Sequence, residues 1–183
     1  MITSKVSKRY AKALLSLGKE DGRYQQYGED LRDFSSFYEQ NAQFAQSVSN
    51  PVFSIEDRKK ILKFVLGRAG YTDTVNNFLK LLLDKNRIGA IPGIYAYYEK
   101  LTDEVANIAR AEVITAGPLN EDAKKRLEKV LEALTSRRVR MTASEDKALI
   151  GGIVVKIGDL VLDGSVKAQL RGLKESLKRG EYR

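Results

Sequence analysis

Residues 148–165 read Ala-Leu-Ile-Gly-Gly-Ile-Val-Val-Lys-Ile-Gly-Asp-Leu-Val-Leu-Asp-Gly-Ser. Two β-rich runs, Ile150–Ile157 and Leu160–Asp163, stand either side of Gly158-Asp159, a turn pair, and predict a hairpin. Ser165 is placed to cap a following helix in which Val166, Leu170, Leu173 and Leu177 recur at helical spacing. This end of the chain is therefore mixed α and β, whatever precedes it.

Upstream of the hairpin the alternation continues. In Arg138–Ala143, Arg138, Arg140 and Thr142 fall on one side and Val139, Met141 and Ala143 on the other, the pattern of a half-buried strand. Asn120 caps a helix carrying Leu127, Val130, Leu131 and Leu134 on one face. Ala109–Ala116 is short, β-compatible and closed by Gly117-Pro118. The order from there to the end is β-α-β-β-β-α.

Before residue 106 the period is helical throughout. The first helix shows the stripe Val6, Tyr10, Ala13, Leu14 and Leu17, with Gly18 and Gly22 bracketing its stop. A second carries Tyr24, Tyr27, Leu31, Phe34 and Tyr38, and a short third, 42–48, ends at Asn50-Pro51. Ser54, three residues before Asp57, opens a fourth with Ile61, Leu62, Val65 and Leu66, stopped by Gly67 and Gly70. Thr72 caps a fifth with Val75, Phe78, Leu79 and Leu82. Pro92 marks the first turn of a sixth, whose Ile91, Ile94, Tyr95, Tyr98, Leu101 and Val105 face inward while Tyr97 faces out. Short loops predict antiparallel neighbours. The expected fold is mostly α: a six-helix bundle over 1–106, then a small α/β domain over 107–183, with the boundary near Ala106–Ala109.

Composition narrows the chemistry. The 183 residues hold 32 Lys+Arg against 24 Asp+Glu, a net charge of +8, with no His, Cys or Trp. Disulfides, thiol nucleophiles, imidazole-ligated metals and a Ser-His-Asp triad are excluded. The longest apolar stretch, Ala148–Val155, is eight residues, against the roughly 20 that cross a bilayer. The start is basic through Lys5, Lys8, Arg9 and Lys12 but has no apolar core of a secretory signal, and it reads as an ordinary helix rather than a presequence.

No Gly-rich phosphate loop of the two common forms is present. Gly151-Gly152 is followed by neither Lys-Ser/Thr nor a helix start, so it reads as a strand glycine pair that admits a neighbouring backbone. Glu20/Asp21, Glu29/Asp30, Asp103/Glu104 and Glu145/Asp146 fall on helix ends or solvated faces, not in a cleft that would raise a carboxyl pKa. Two basic clusters, Arg58-Lys59-Lys60 with Lys63 and Arg137-Arg138 with Arg140, leave a basic helical nucleic-acid-binding protein as the alternative function. Apolar positions and acids interrupt the first of them. The second part carries 16 basic against 11 acidic residues, the first 16 against 13. A small core, short strands and this charge predict that the second domain leans on an acidic partner.

Several words of the sequence, in order, resemble the delta-subunit family of bacterial F-type ATP synthases, counterpart of the mitochondrial oligomycin-sensitivity conferring protein. They are Arg9-Tyr10-Ala11-Lys12-Ala13-Leu14, Asn50-Pro51, Asn77-Phe78-Leu79, Asn86-Arg87-Ile88 and Ala116-Gly117-Pro118-Leu119. The C-terminal run containing Leu149, Gly151, Gly152, Lys156, Gly158, Asp163 and Ser165 completes the set. The resemblance implies a non-catalytic peripheral-stalk subunit with no cofactor. It would sit on the cytoplasmic face of the bacterial plasma membrane and associate with the membrane only through the complex. The bundle would hold the N-terminal helices of the alpha subunits, and the C-terminal domain the C-terminal helices of the b subunits. The groove expected for the alpha-subunit helix lies between the first and fifth helices, at Tyr10, Ala11, Ala13, Leu14, Leu15, Leu17, Phe78, Leu79, Leu81 and Leu82. Ala11, Leu15, Leu81 and Leu83 lie off the main stripes, and the small Ala13 permits close approach.

Overall fold

The computed structural model describes residues 4–179. Among them the elements run α1 (Lys5–Glu20), α2 (Tyr24–Gln40), α3 (Ala42–Ser49), α4 (Ile55–Ala69), α5 (Asp73–Asp84), a 3-10 turn (Ile88–Ala90) and α6 (Ile91–Val105). Then come β1 (Ile108–Thr115), α7 (Glu121–Thr135), β2 (Arg138–Glu145), β3 (Ile153–Ile157), β4 (Leu160–Asp163) and α8 (Val166–Arg179). The chain divides into two compact units at Asp103/Glu104, in the last turn of α6 and just ahead of the expected Ala106–Ala109 boundary. It is mostly helical, with one small mixed sheet near the C-terminus.

In the first unit, Tyr27, Leu31 and Phe34 of α2 meet Leu79 and Leu82 of α5 and Ile94 of α6 in a single buried core. The helix starts are set locally. Ser54 Oγ caps α4 by accepting from the Asp57 N–H at 3.1 Å, but the Asp57 carboxylate accepts from the Ser54 hydroxyl at 2.7 Å and not from the Ser54 N–H, so the predicted capping box is only half made. Thr72 stands at the start of α5, but its hydroxyl does not cap the helix. It donates instead to Asp30 Oδ2 on α2 at 2.8 Å, and the Thr72 N–H donates to the same oxygen at 3.0 Å. A buried carboxylate from α2 thus supplies negative charge at the positive end of α5. The Tyr27 hydroxyl donates to Asp21 and lies 3.0 Å from Thr74 Oγ1, tying α2 to α5 again. That hydroxyl, followed by the Arg23 N–H, holds the Asp21 carboxyl below its ordinary range.

Two predicted stops are not stops. Gly18 is buried within α1, where a Cβ would fall 2.7 Å from Tyr24 Cα, so it is a contact point between α1 and α2. Gly67 lies inside α4, which ends at Gly70 in the left-handed conformation (φ +69).

The inward face of α1 also differs from the predicted stripe. Its buried residues are Ser7, Ala11, Leu14, Leu15 and Gly18. Small residues face the core because the backbones approach closely: a Cβ on Gly93 of α6 would lie 2.9 Å from Ser7 Oγ. Ala13 and Leu17 are left outside, and Val6 and Tyr10 are only partly covered. Ala11, Leu15 and Leu83, read as off the main stripes, are core. On α6, Tyr98 is fully buried and its hydroxyl donates to the Tyr24 carbonyl at 2.8 Å, while Tyr95 and Tyr97 are both half-buried.

The second unit is a four-stranded sheet in the order β2-β1-β3-β4. The β1–β2 pair is parallel, joined through α7, and the other two pairs are antiparallel. Ala109, Ala111 and Val113 of β1, Val139 of β2 and Val155 of β3 share one face and pack with Leu131 of α7. Asn120 Oδ1 caps α7 by accepting from the Ala123 N–H at 2.7 Å. Strand β3 starts at Ile153, not Ile150, because Gly152 leaves the extended region (φ +87). Ile150 is 76% exposed.

Candidate functional site

With Ser7, Ala11, Leu14, Leu15 and Gly18 turned inward, a second apolar line of α1 is left at the surface. Val6, Tyr10, Ala13 and Leu17 are spaced four, three and four apart and so share one line on the outside of α1. The Tyr10 ring meets the Phe78 ring of α5 edge-on at 6.2 Å, so this line adjoins α5. Leu81, three residues beyond Phe78, is 44% exposed, and Leu17 is 48% exposed. The predicted groove residues therefore sort into two sets. Tyr10, Ala13, Leu17 and Leu81 lie at or near the surface, whereas Ala11, Leu14, Leu15, Phe78, Leu79 and Leu82 are inside the core.

The C-terminal motif makes a backbone clamp at the root of α8. The Gly164 N–H donates to the Ile153 carbonyl at 2.9 Å, and the Val166 N–H to the Gly151 carbonyl at 3.0 Å. A Cβ on Gly151 would lie 3.1 Å from Val166 Cγ2, and one on Gly152 would collide with the Gly164 carbonyl and approach Ser165 Cα to 2.9 Å. Ser165 is buried, and its Oγ caps α8 by accepting from the Ala168 N–H at 3.1 Å. Asp163 Oδ1 accepts from the Ser165 N–H at 3.0 Å. Hydrogen bonds from Ser165, side chain first and then backbone, hold the Asp163 carboxyl below its ordinary range. Gly158 takes φ +58 in the hairpin turn. Lys156 pairs with Glu112 in the β3–β1 register on the solvent side of the sheet, and Leu149 is half-buried in the turn that leaves β2. The glycines of this motif thus bring backbones together, and the nearby Ser and Asp fix the helix start.

Beyond the clamp, α8 is bare. Val166, Leu170, Leu173 and Leu177 are all exposed, Leu170 by 55% and Leu173 by 58%. Leu160 and Leu162 pair with Ile157 and Val155, so they share the apolar face of the sheet, and both are exposed as well. Four apolar side chains in one helical line, each worth about 1.5–3 kcal/mol when fully buried, are an unfinished interface. The exposure of this stripe was legible only in part: the spacing showed an amphipathic helix, but nothing in it showed that the sheet would not cover it.

The basic clusters are partly engaged within the chain. Arg58 is buried; its Nε donates to the Val48 carbonyl at 2.7 Å and its Nη1 to Asn86 Oδ1 at 2.8 Å. Lys59 pairs with Asp84 at 2.8 Å and Lys60 with Asp57 at 3.3 Å. Arg138 donates to the Ala106 carbonyl at 3.2 Å. Among the described residues no cluster of acids could hold a metal ion, and no helix is long and apolar enough to cross a membrane.

Each of the two compact units leaves apolar helix side chains exposed outside its own core. Residues 6–177 match the family model of the ATP synthase delta (OSCP) subunit. The chain is 43% identical over 176 residues to the ATP synthase subunit delta of Desulfosudis oleivorans (strain DSM 6200 / JCM 39069 / Hxd3), covering 96% of each chain. It is 45% identical over 177 residues to that of Desulfatibacillum aliphaticivorans, covering 97% of each. A chain in the cryo-EM structure of the Toxoplasma gondii mitochondrial ATP synthase hexamer shares the fold, with a TM-score of 0.70 at 16% identity over 95% of this chain and 98% of that one. The protein belongs to the ATP synthase delta (OSCP) subunit family, and it is a structural, non-catalytic subunit of the peripheral stalk of an F-type ATP synthase.

Proposed function

We propose that the first unit, a six-helix bundle, binds the N-terminal helices of the alpha subunits and that the second binds the C-terminal helices of the b subunits. The chain then holds the catalytic head against the torque of the rotor, on the cytoplasmic face of the membrane. The observation that carries this reading is that each unit has an apolar helix line that its core covers only in part or not at all: Val6-Tyr10-Ala13-Leu17 beside Phe78 and Leu81 in the first, and Val166-Leu170-Leu173-Leu177 in the second. Helix-in-groove recognition uses apolar anchors at this spacing. Ala13 gives the alpha-subunit helix room to approach the α1 backbone, and Leu17 and Leu81 flank it. The b helices cover α8 and the bare Leu160 and Leu162, which makes the second unit the more partner-dependent of the two.

The test is a pair of calorimetric titrations of the full chain, one with the alpha-subunit N-terminal peptide and one with a C-terminal b fragment. The reading expects independent saturable binding of both. Competition between them for one site, or binding of neither, contradicts it.

A further inference from the structure

Helix α5 has two flanks. At about 100° per residue, Phe78 and Leu81 lie to one side of its core line of Val75, Leu79 and Leu82. Lys80, Leu83 and Asp84 lie to the other, facing α4. There a cavity of about 260 Å3 opens between α4 and α5, lined by Lys59, Leu62, Lys63, Lys80, Leu83 and Asp84. Its floor is apolar, since Leu62 and Leu83 are core residues. Its rim is charged and unbalanced, with three lysines against one aspartate. Lys59 and Asp84 pair across one end at 2.8 Å. Neither Lys63 nor Lys80 has an ion-pair partner among the described residues. Ile55 stands four residues before Lys59 and seven before Leu62, so it extends the apolar line along α4, and it is exposed.

We propose that this groove is a second docking site, and that its occupant is an acidic amphipathic helix of a partner protein. The site is open and runs between two helices adjacent in the chain, which suits a third helix laid along them. One branched or aromatic side chain of that helix fills the cavity over Leu62 and Leu83. Asp or Glu one turn to either side meets Lys63 and Lys80. The two free ammonium groups reject a basic helix and steer an acidic one. A polyanion without apolar groups gains nothing from the floor. The proposal does not rest on the α1/α5 reading, because it uses the opposite flank of α5.

The experiment is methyl NMR on the full chain with labelled Leu and Ile, titrated with a synthetic amphipathic helical peptide whose apolar line is flanked by Glu. Its twin carries Lys at the Glu positions. The acidic peptide is expected to shift the Ile55, Leu62 and Leu83 methyls, and its affinity to fall as salt is raised. The Lys twin leaves these signals in place. K63E/K80E changes two surface side chains and should lower the affinity roughly tenfold or more, while Ala13→Asp leaves the titration unchanged. If the acidic peptide moves only Leu17 and Leu81, or binds K63E/K80E as tightly as the native chain, the proposal is overturned.

Discussion

Gly152 faces the backbone of Gly164, with φ at +87, and a Cβ placed on it would collide with the Gly164 carbonyl and fall 2.9 Å from Ser165 Cα. Two independent constraints therefore meet at one residue. Strand β3 leaves the glycine pair and α8 springs from the other side of the contact. Gly152→Ala should loosen the root of α8, through a left-handed backbone that costs an L-residue about 1–2 kcal/mol and through a clash with main chain that cannot swing aside. Hydrogen exchange on the full chain checks it. Amides of β3, β4 and α8 should lose protection while those of α2 and α5 keep theirs, and the b fragment should bind more weakly than to the native chain.

Asp30 ties α2 to the start of α5 through both donors of Thr72 and accepts from Gln26 Nε2 at 3.2 Å. Asp30→Ala leaves the Thr72 N–H and hydroxyl in a half-buried site without their partner. A loss of about 2–3 kcal/mol in urea unfolding of the first unit is expected. Asp30→Asn keeps an acceptor and should lose less.

Arg58 is a buried cation whose donors go to the Val48 carbonyl near the end of α3 and to Asn86 after α5. Asn86 itself sits at φ +54, so the guanidinium holds a turn in an uncommon conformation. Arg58→Met keeps the length of the side chain but strands both acceptors. It should cost about 2–3 kcal/mol of first-unit stability, measured by denaturant midpoint, with no effect on the salt dependence of partner binding.

Asp163 gives a pH signature. Its folded pKa lies below the unfolded value, so its contribution is present above that value, near 3.8, and is lost as pH falls through the folded pKa. Asp163→Asn should therefore flatten the acid limb of second-unit stability below pH 3.8 and leave neutral-pH behaviour of the first unit unchanged. Thermal melts between pH 2 and 5 with probes in each unit check this, the range being set roughly by where carboxylates titrate.

Element order and type were legible because amphipathic periods and cap residues are local. Ser54 and Asn120 act through their own next turn, and the Gly158-Asp159 hairpin through its own two strands. What was not legible depended on distance. The face that α1 buries is decided by how closely Gly18 meets Tyr24 and Ser7 meets Gly93, contacts that favour small side chains over bulky ones. Period alone cannot tell the core line of α1 from its outer line, since both repeat at helical spacing. Arg58 looked like surface charge within a basic run, and only the Val48 carbonyl and Asn86, brought in from ten and twenty-eight residues away, draw it inside. Thr72 was recognisable as a helix start, but its acceptor is on another helix.

The central claim is that one chain couples head to stalk through two separate helix faces. Its most direct test is ATP-driven proton pumping by membranes reconstituted with catalytic heads lacking this subunit. The native chain should restore pumping. Ala13→Asp, on the outside of α1, and the double variant L170D/L173D, on the bare face of α8, should each fail to restore it, while the heads hydrolyse ATP at an unchanged rate. Full restoration of pumping by both variants would contradict the account.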